Sequence, residues 1–92
     1  MNVTIYTKPN CPQCDQTKRL LTRDNVKYDE KPIGDEERQL FLGHGFMSAP
    51  IVVVSQPVVP GVSGVKEFGD GVAWAGLNPD ALKQLVETYH SA

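Results

Sequence analysis

Cysteine is nearly absent from this chain of 92 residues: there are two, with no others from which a disulfide framework could be built. Long apolar runs are absent as well, so no segment is suited to crossing a bilayer. The opening MNVTIYTKPN lacks a basic start, an apolar stretch of adequate length and a small-residue cleavage site, and no secretory signal is expected of it. These absences predict a reducing, cytoplasmic setting, where a close cysteine pair is more often catalytic or metal-binding than a structural staple. Basic residues cluster nowhere beyond Lys18-Arg19 and the formal net charge is -2, so the footprint expected of a nucleic-acid binder is missing. Neither repeats nor low-complexity tracts interrupt the chain. Its length and 40% hydrophobic content predict one small domain over residues 1–92, burying roughly 60% of the surface that its unfolded chain exposes.

Both cysteines fall in TKPNCPQC, residues 7–14. Before them, NVTIYT alternates Val3 and Ile5 against Thr4 and Tyr6, the pattern of a strand. After them, PQCDQTKRLLTRDN holds helix formers and no further proline or glycine, with Pro12 at the first helical position, where its fixed φ and missing N–H are tolerated. Cys11 is thereby predicted to be the N-cap. Asp24-Asn25 close this helix and VKYDEK reads as a second strand, completing a β-α-β unit. A short helix is predicted from Asp35 as N-cap, through Glu36 and Glu37, to a stop at Gly43 and Gly45. APIVVVS reads as a strand buried on both faces, with GVAWAG pairing to it as an edge strand. Between them, residues 56–70 hold two prolines and three glycines and predict a long loop or an extended hairpin, with Val58, Val59, Val62, Val65 and Phe68 too apolar for a free linker. NPDALKQLVETYH is the clearest helix, capped by Asn78 and started by Pro79.

A thiol reacts as the thiolate, and an N-cap position stabilises that form through unpaired N–H groups and the helix dipole. Cys11 is expected to be the attacking thiol, with Cys14, one turn in, resolving the mixed disulfide. Lys8 could add a cation nearby, or be a solvated loop lysine. Cys-x-x-Cys is also half of a zinc or iron–sulfur site, which leaves a metal-binding or partner-binding module open. Such a site needs further ligands, and His44 and His90 stand far apart without ligand spacing.

Three stretches carry a resemblance to a known family. YTKPNCPQC, SAPIVV and WAGLNPD resemble, in that order, the active-site segment, the Ala-Pro strand entry and the Trp-Ser-Gly-Phe-Arg-Pro-Asp signature of the NrdH-redoxins, glutaredoxin-like members of the thioredoxin superfamily. The resemblance covers the chain except residues 56–70. It implies an α/β, thioredoxin/glutaredoxin-like fold, a four-stranded mixed sheet flanked by three helices in the order β-α-β-α-β-β-α. It also implies a dithiol electron carrier with catalytic Cys11 and Cys14 and no added cofactor or metal. A thioredoxin reductase would be its donor and a class Ib ribonucleotide reductase its acceptor. A monomer is expected, with no nucleic-acid or membrane partner. Lys8, Pro12, Gln13, Ala49, Pro50, Trp74 and Gly76 would form the partner-binding surface, with Pro50 in cis. An X-Pro bond is the one that adopts cis at a cost of only about 0.5–1 kcal/mol, and such a turn would leave the Ala49 backbone open to a partner strand. Two departures bear on the donor. Glutaredoxins hold glutathione with a Thr-Val-Pro segment and a Gly-Gly-x-x-Asp turn, whereas this chain has Ser48-Ala49-Pro50 and Trp74 to Asp80 there. That argues against glutathione as the preferred reductant. The signature's Phe and Arg are here Leu77 and Asn78, so a blocking role for those side chains does not carry over.

Overall fold

The computed structural model describes residues 2–55 and 62–91. In chain order the elements are β1 (Val3–Thr7), α1 (Pro12–Arg23), β2 (Asp29–Pro32), α2 (Asp35–Gly43), β3 (Ile51–Val54), β4 (Lys66–Phe68), β5 (Gly71–Ala75) and α3 (Pro79–Ser91). The strands form one mixed sheet in the order β2-β1-β3-β5-β4. Only β1 and β2 run parallel, joined through α1 as a β-α-β unit. The β1–β3, β3–β5 and β4–β5 pairs are antiparallel.

Side-chain alternation divides the core between the two faces of the sheet. On one face Val3, Ile5, Val52, Val54, Val72 and Trp74 pack with Leu21 of α1 and with Leu82 and Leu85 of α3. On the other, Phe41 of α2 packs with Phe46, Ile51 and Ala73, and Tyr6 and Phe68 close its margin. Asn78 caps α3 as its sequence predicts, Oδ1 accepting from the Ala81 N–H at 3.1 Å. The far end of α3 is tied down by His90, whose Nε2 lies 2.7 Å from the Asp24 carbonyl.

Four expectations need correction. The sheet has five strands, not four, because Lys66 to Phe68 turns back through Gly69 and Asp70 and pairs with β5. Gly69 takes φ 56, a conformation that glycine adopts without penalty. With β4 hydrogen-bonded on its outer side, β5 is an interior strand rather than an edge. β2 starts at Asp29, later than expected, and all four of its residues are exposed; Val26 instead buries itself in the turn that closes α1, its N–H bonded to the Leu21 carbonyl. Finally, Gly34 is the N-cap of α2, with no side-chain cap bond, and Asp35 is the first residue inside.

The expected loop or extended hairpin at 56–70 divides in two. Its first part, residues 56–61 with Val58 and Val59, lies outside the described residues. In the rest, the hairpin is made by β4 and β5, not by extension of β3, and Val62 and Val65 pack against the α1/α3 face of the core.

Candidate functional site

The cysteines stand where β1 hands over to α1. Asn10 adopts φ 56, a left-handed conformation that asparagine tolerates, and turns the chain into Cys11. Cys11 is the N-cap in extended conformation with Pro12 following, and its Sγ accepts the Cys14 N–H at 3.1 Å. The sulfur thus occupies the place of a capping oxygen, facing the orphan donors of the helix. Cys11 and Cys14 are joined as a disulfide, their Cα atoms 5.2 Å apart. Cys11 retains 7% exposure against 1% for Cys14, so an incoming group meets Cys11 first.

Ala49 packs directly on the cysteine pair, with Ile33 behind. The Ala49–Pro50 bond is cis. Pro50 is fully buried and its carbonyl accepts the Gly76 N–H at 2.7 Å. The Leu77 N–H donates to Gln13 Oε1 at 3.1 Å, which ties the second of the two residues between the cysteines to the corner between β5 and α3. Gly76 sits at φ 75, and a Cβ there would lie 3.0 Å from Ser48 Oγ and 3.3 Å from Gln13 Oε1. Three segments distant in sequence therefore meet around the disulfide.

A groove of about 330 Å³ opens beside Ala49. Phe41, Phe46 and Ile51 line its buried part, while exposed Lys8, Arg38 and Met47 line its outer part. Lys8 thus borders the groove. Lys18 bridges α1 and β2, its Nζ 3.0 Å from Glu30 Oε2, which also accepts from the Thr7 hydroxyl at 3.1 Å. The Lys18 hydrogen bond, then that of Thr7, holds the Glu30 carboxyl below its ordinary range, and Glu30 in turn raises the Lys18 amine.

Of the residues expected at the surface of contact, Lys8, Pro12 and Gln13 are exposed, and Ala49, Pro50, Trp74 and Gly76 are buried. Trp74 is fully buried on the α1/α3 face, in one cluster with Leu21 of α1 and with Leu82 and Leu85 of α3; its indole N–H has no partner among the described residues. The exposed residues of that signature are Leu77, 38% exposed, Pro79 and Asp80, with Asn78 half-buried. Met47, 85% exposed, and Arg38 border the groove without having been singled out from the sequence. Nothing in their local pattern distinguishes them from solvated surface. His44 lies at the end of α2 among Phe46 and Phe68, and His90 at the end of α3.

Residues 3–59, more than half of the chain, match the glutaredoxin family. The chain belongs to that family. Similarity to glutaredoxin-like proteins NrdH runs along its whole length: 28% identity over 94 residues to that of Salmonella typhimurium and 29% over 96 residues to that of Escherichia coli, each covering 100% of this chain and 98% of the relative. Among solved structures, the NrdH-redoxin of Escherichia coli, a glutaredoxin-like protein with a thioredoxin-like activity profile, superposes with a TM-score of 0.71. The match covers 92% of this chain and 95% of that one, and at 24% identity it establishes the shared fold. This is a glutaredoxin-like redox protein of thioredoxin fold.

Proposed function

We propose that this protein is a dithiol–disulfide electron carrier, reduced by an enzyme of the thioredoxin-reductase type and passing electrons to a class Ib ribonucleotide reductase. It would act as a cytoplasmic monomer whose redox centre is the cysteine pair itself, with no bound cofactor. The observation that carries the reading is the placement of Cys11: helix cap, outermost of the pair, and packed with Ala49, whose bond to Pro50 is cis. The full-length similarity to NrdH proteins supports the choice of acceptor.

In each transfer the Cys11 thiolate attacks one sulfur of the partner's disulfide, and the other partner sulfur leaves as thiolate. Cys14, losing its proton, attacks Cys11 Sγ and releases the second partner sulfur. Two electrons and two protons pass to the partner, and the Cys11–Cys14 disulfide is left for the reductase to reduce. Helix-terminal N–H groups stabilise the anion on Cys11 both before attack and when Cys11 is the leaving group.

The test is a paired disulfide-reduction assay, driven in one arm by thioredoxin reductase and in the other by glutathione with its reductase. Faster turnover with thioredoxin reductase is expected. Equal or faster turnover with glutathione would favour the second reading, a glutathione-dependent glutaredoxin, which family membership keeps in view.

A further inference from the structure

Lys66, the first residue of β4, reaches across to the loop that leads into Pro50. Its Nζ donates to the His44 carbonyl at 3.0 Å. His44 caps the C-terminus of α2, where backbone carbonyls have no partner inside the helix. The same ammonium lies 5.5 Å from the centroid of the Phe46 ring, within cation–π range. Between these two contacts Gly45 turns at φ 85, and a Cβ there would sit 2.5 Å from Lys66 Nζ, so any other residue would displace the amine. Phe68, on the same side of β4, adds ring contacts to His44 at 5.0 Å and to Phe46 at 6.3 Å. Phe46 leads directly into Met47, Ser48 and Ala49, which line the groove, and Ala49 packs on the disulfide.

We propose that Lys66 is a positioning residue for partner docking: by holding His44 to Phe46 it sets the Met47–Ala49 wall of the groove that receives the disulfide-bearing segment of a protein substrate. The inference rests on the dithiol-carrier reading. Lys66 touches no reacting atom, and it lies outside residues 3–59, the stretch that matches the glutaredoxin family. The ammonium is essential to the device, because the carbonyl bond and the ring contact both use the charge. The alkyl stem alone supplies neither.

The test needs no reductase. Protein reduced beforehand and freed of reductant is mixed with insulin or with hydroxyethyl disulfide, and the second-order rate constant for each is measured. One disulfide of either substrate becomes two thiols as Cys11–Cys14 closes. Lys66→Met keeps the stem and removes the charge; it is expected to lower the insulin constant about fivefold, in keeping with loss of an exposed charge contact, and to leave the hydroxyethyl disulfide constant within about twofold. Lys66→Arg, which still donates and stacks, should restore insulin reduction. An unchanged insulin constant in Lys66→Met, an equal fall for both disulfides, or failure of Lys66→Arg to restore the rate would each overturn the proposal. A wild-type protein that reduces neither disulfide would overturn the carrier reading itself.

Discussion

At the scale of single residues, the two sulfurs differ by position alone. Cys11 caps α1 and receives a backbone N–H, whereas Cys14 lies one turn inside and buried. Iodoacetamide at mildly acidic pH should therefore label Cys11 of the reduced protein first, read by peptide mass mapping. Preferential labelling of Cys14 would reverse the roles. Cys14→Ser should accumulate a mixed disulfide with target through Cys11, and Cys11→Ser should trap little. Gly76 offers a second residue-level test. Alanine there would occupy a left-handed conformation and crowd Ser48 and Gln13, so Gly76→Ala should cost roughly 1–2 kcal/mol or more in denaturant unfolding of the oxidised protein. Gly69 also has positive φ, but a Cβ there meets nothing within 4 Å, so Gly69→Ala should cost less.

At the scale of elements, α3 and the segment before β4 share one residue. Asn78 Oδ1 caps α3, while its Nδ2 donates to the Ser63 carbonyl at 2.9 Å. Asn78→Asp keeps an acceptor for the cap and loses the donor, so helix content should hold while amide exchange at Val65, bonded to the Val62 carbonyl, becomes faster. Unchanged exchange there would show that the tether adds nothing. α1 and β2 are coupled differently, through Lys18 and Glu30. The folded carboxyl of Glu30 lies below its unfolded value, so its contribution is fully present above the unfolded glutamate pKa of about 4.3 and is lost as pH falls through the lower folded value. Lys18 is raised, so its contribution holds at neutral pH and disappears only above the ordinary lysine range. The stability gap between wild type and Glu30→Gln should thus be small at neutral pH, shrink with added salt, and close in acid.

At the scale of the whole molecule, residues 56–70 are an excursion between two strands already paired: Val54 lies opposite Val72, so the chain leaves β3 and returns to β5 at one end of the sheet. An Asn-Gly turn joining Ser55 to Gly71 should leave a folded redox protein. It should also uncover β5 and remove the packing of Val62, Val65 and Phe68, at a cost of about 2–4 kcal/mol for three half-buried side chains. Thermal unfolding of the oxidised protein reads that loss, and an unchanged midpoint would mean that the excursion bears no part of the core.

Local chemistry by itself determined the redox pair at the first strand-to-helix junction, the β-α-β start, the buried β3 run and the Asn78-capped last helix. Proline at the first helical position, capping side chains and period-two or apolar runs act within a few residues, so the order of amino acids displays them directly. Tertiary structure alone decided that Lys66 to Phe68 forms the fifth strand, that Trp74 is interior, that Gln13 holds Leu77 and that Lys66 braces His44. Each of these joins a residue to a partner or a cover lying elsewhere in the fold. A three-residue strand rich in charge has no periodic signature, and a polar side chain does not reveal in its own neighbourhood which distant backbone group it will meet once the sheet has closed.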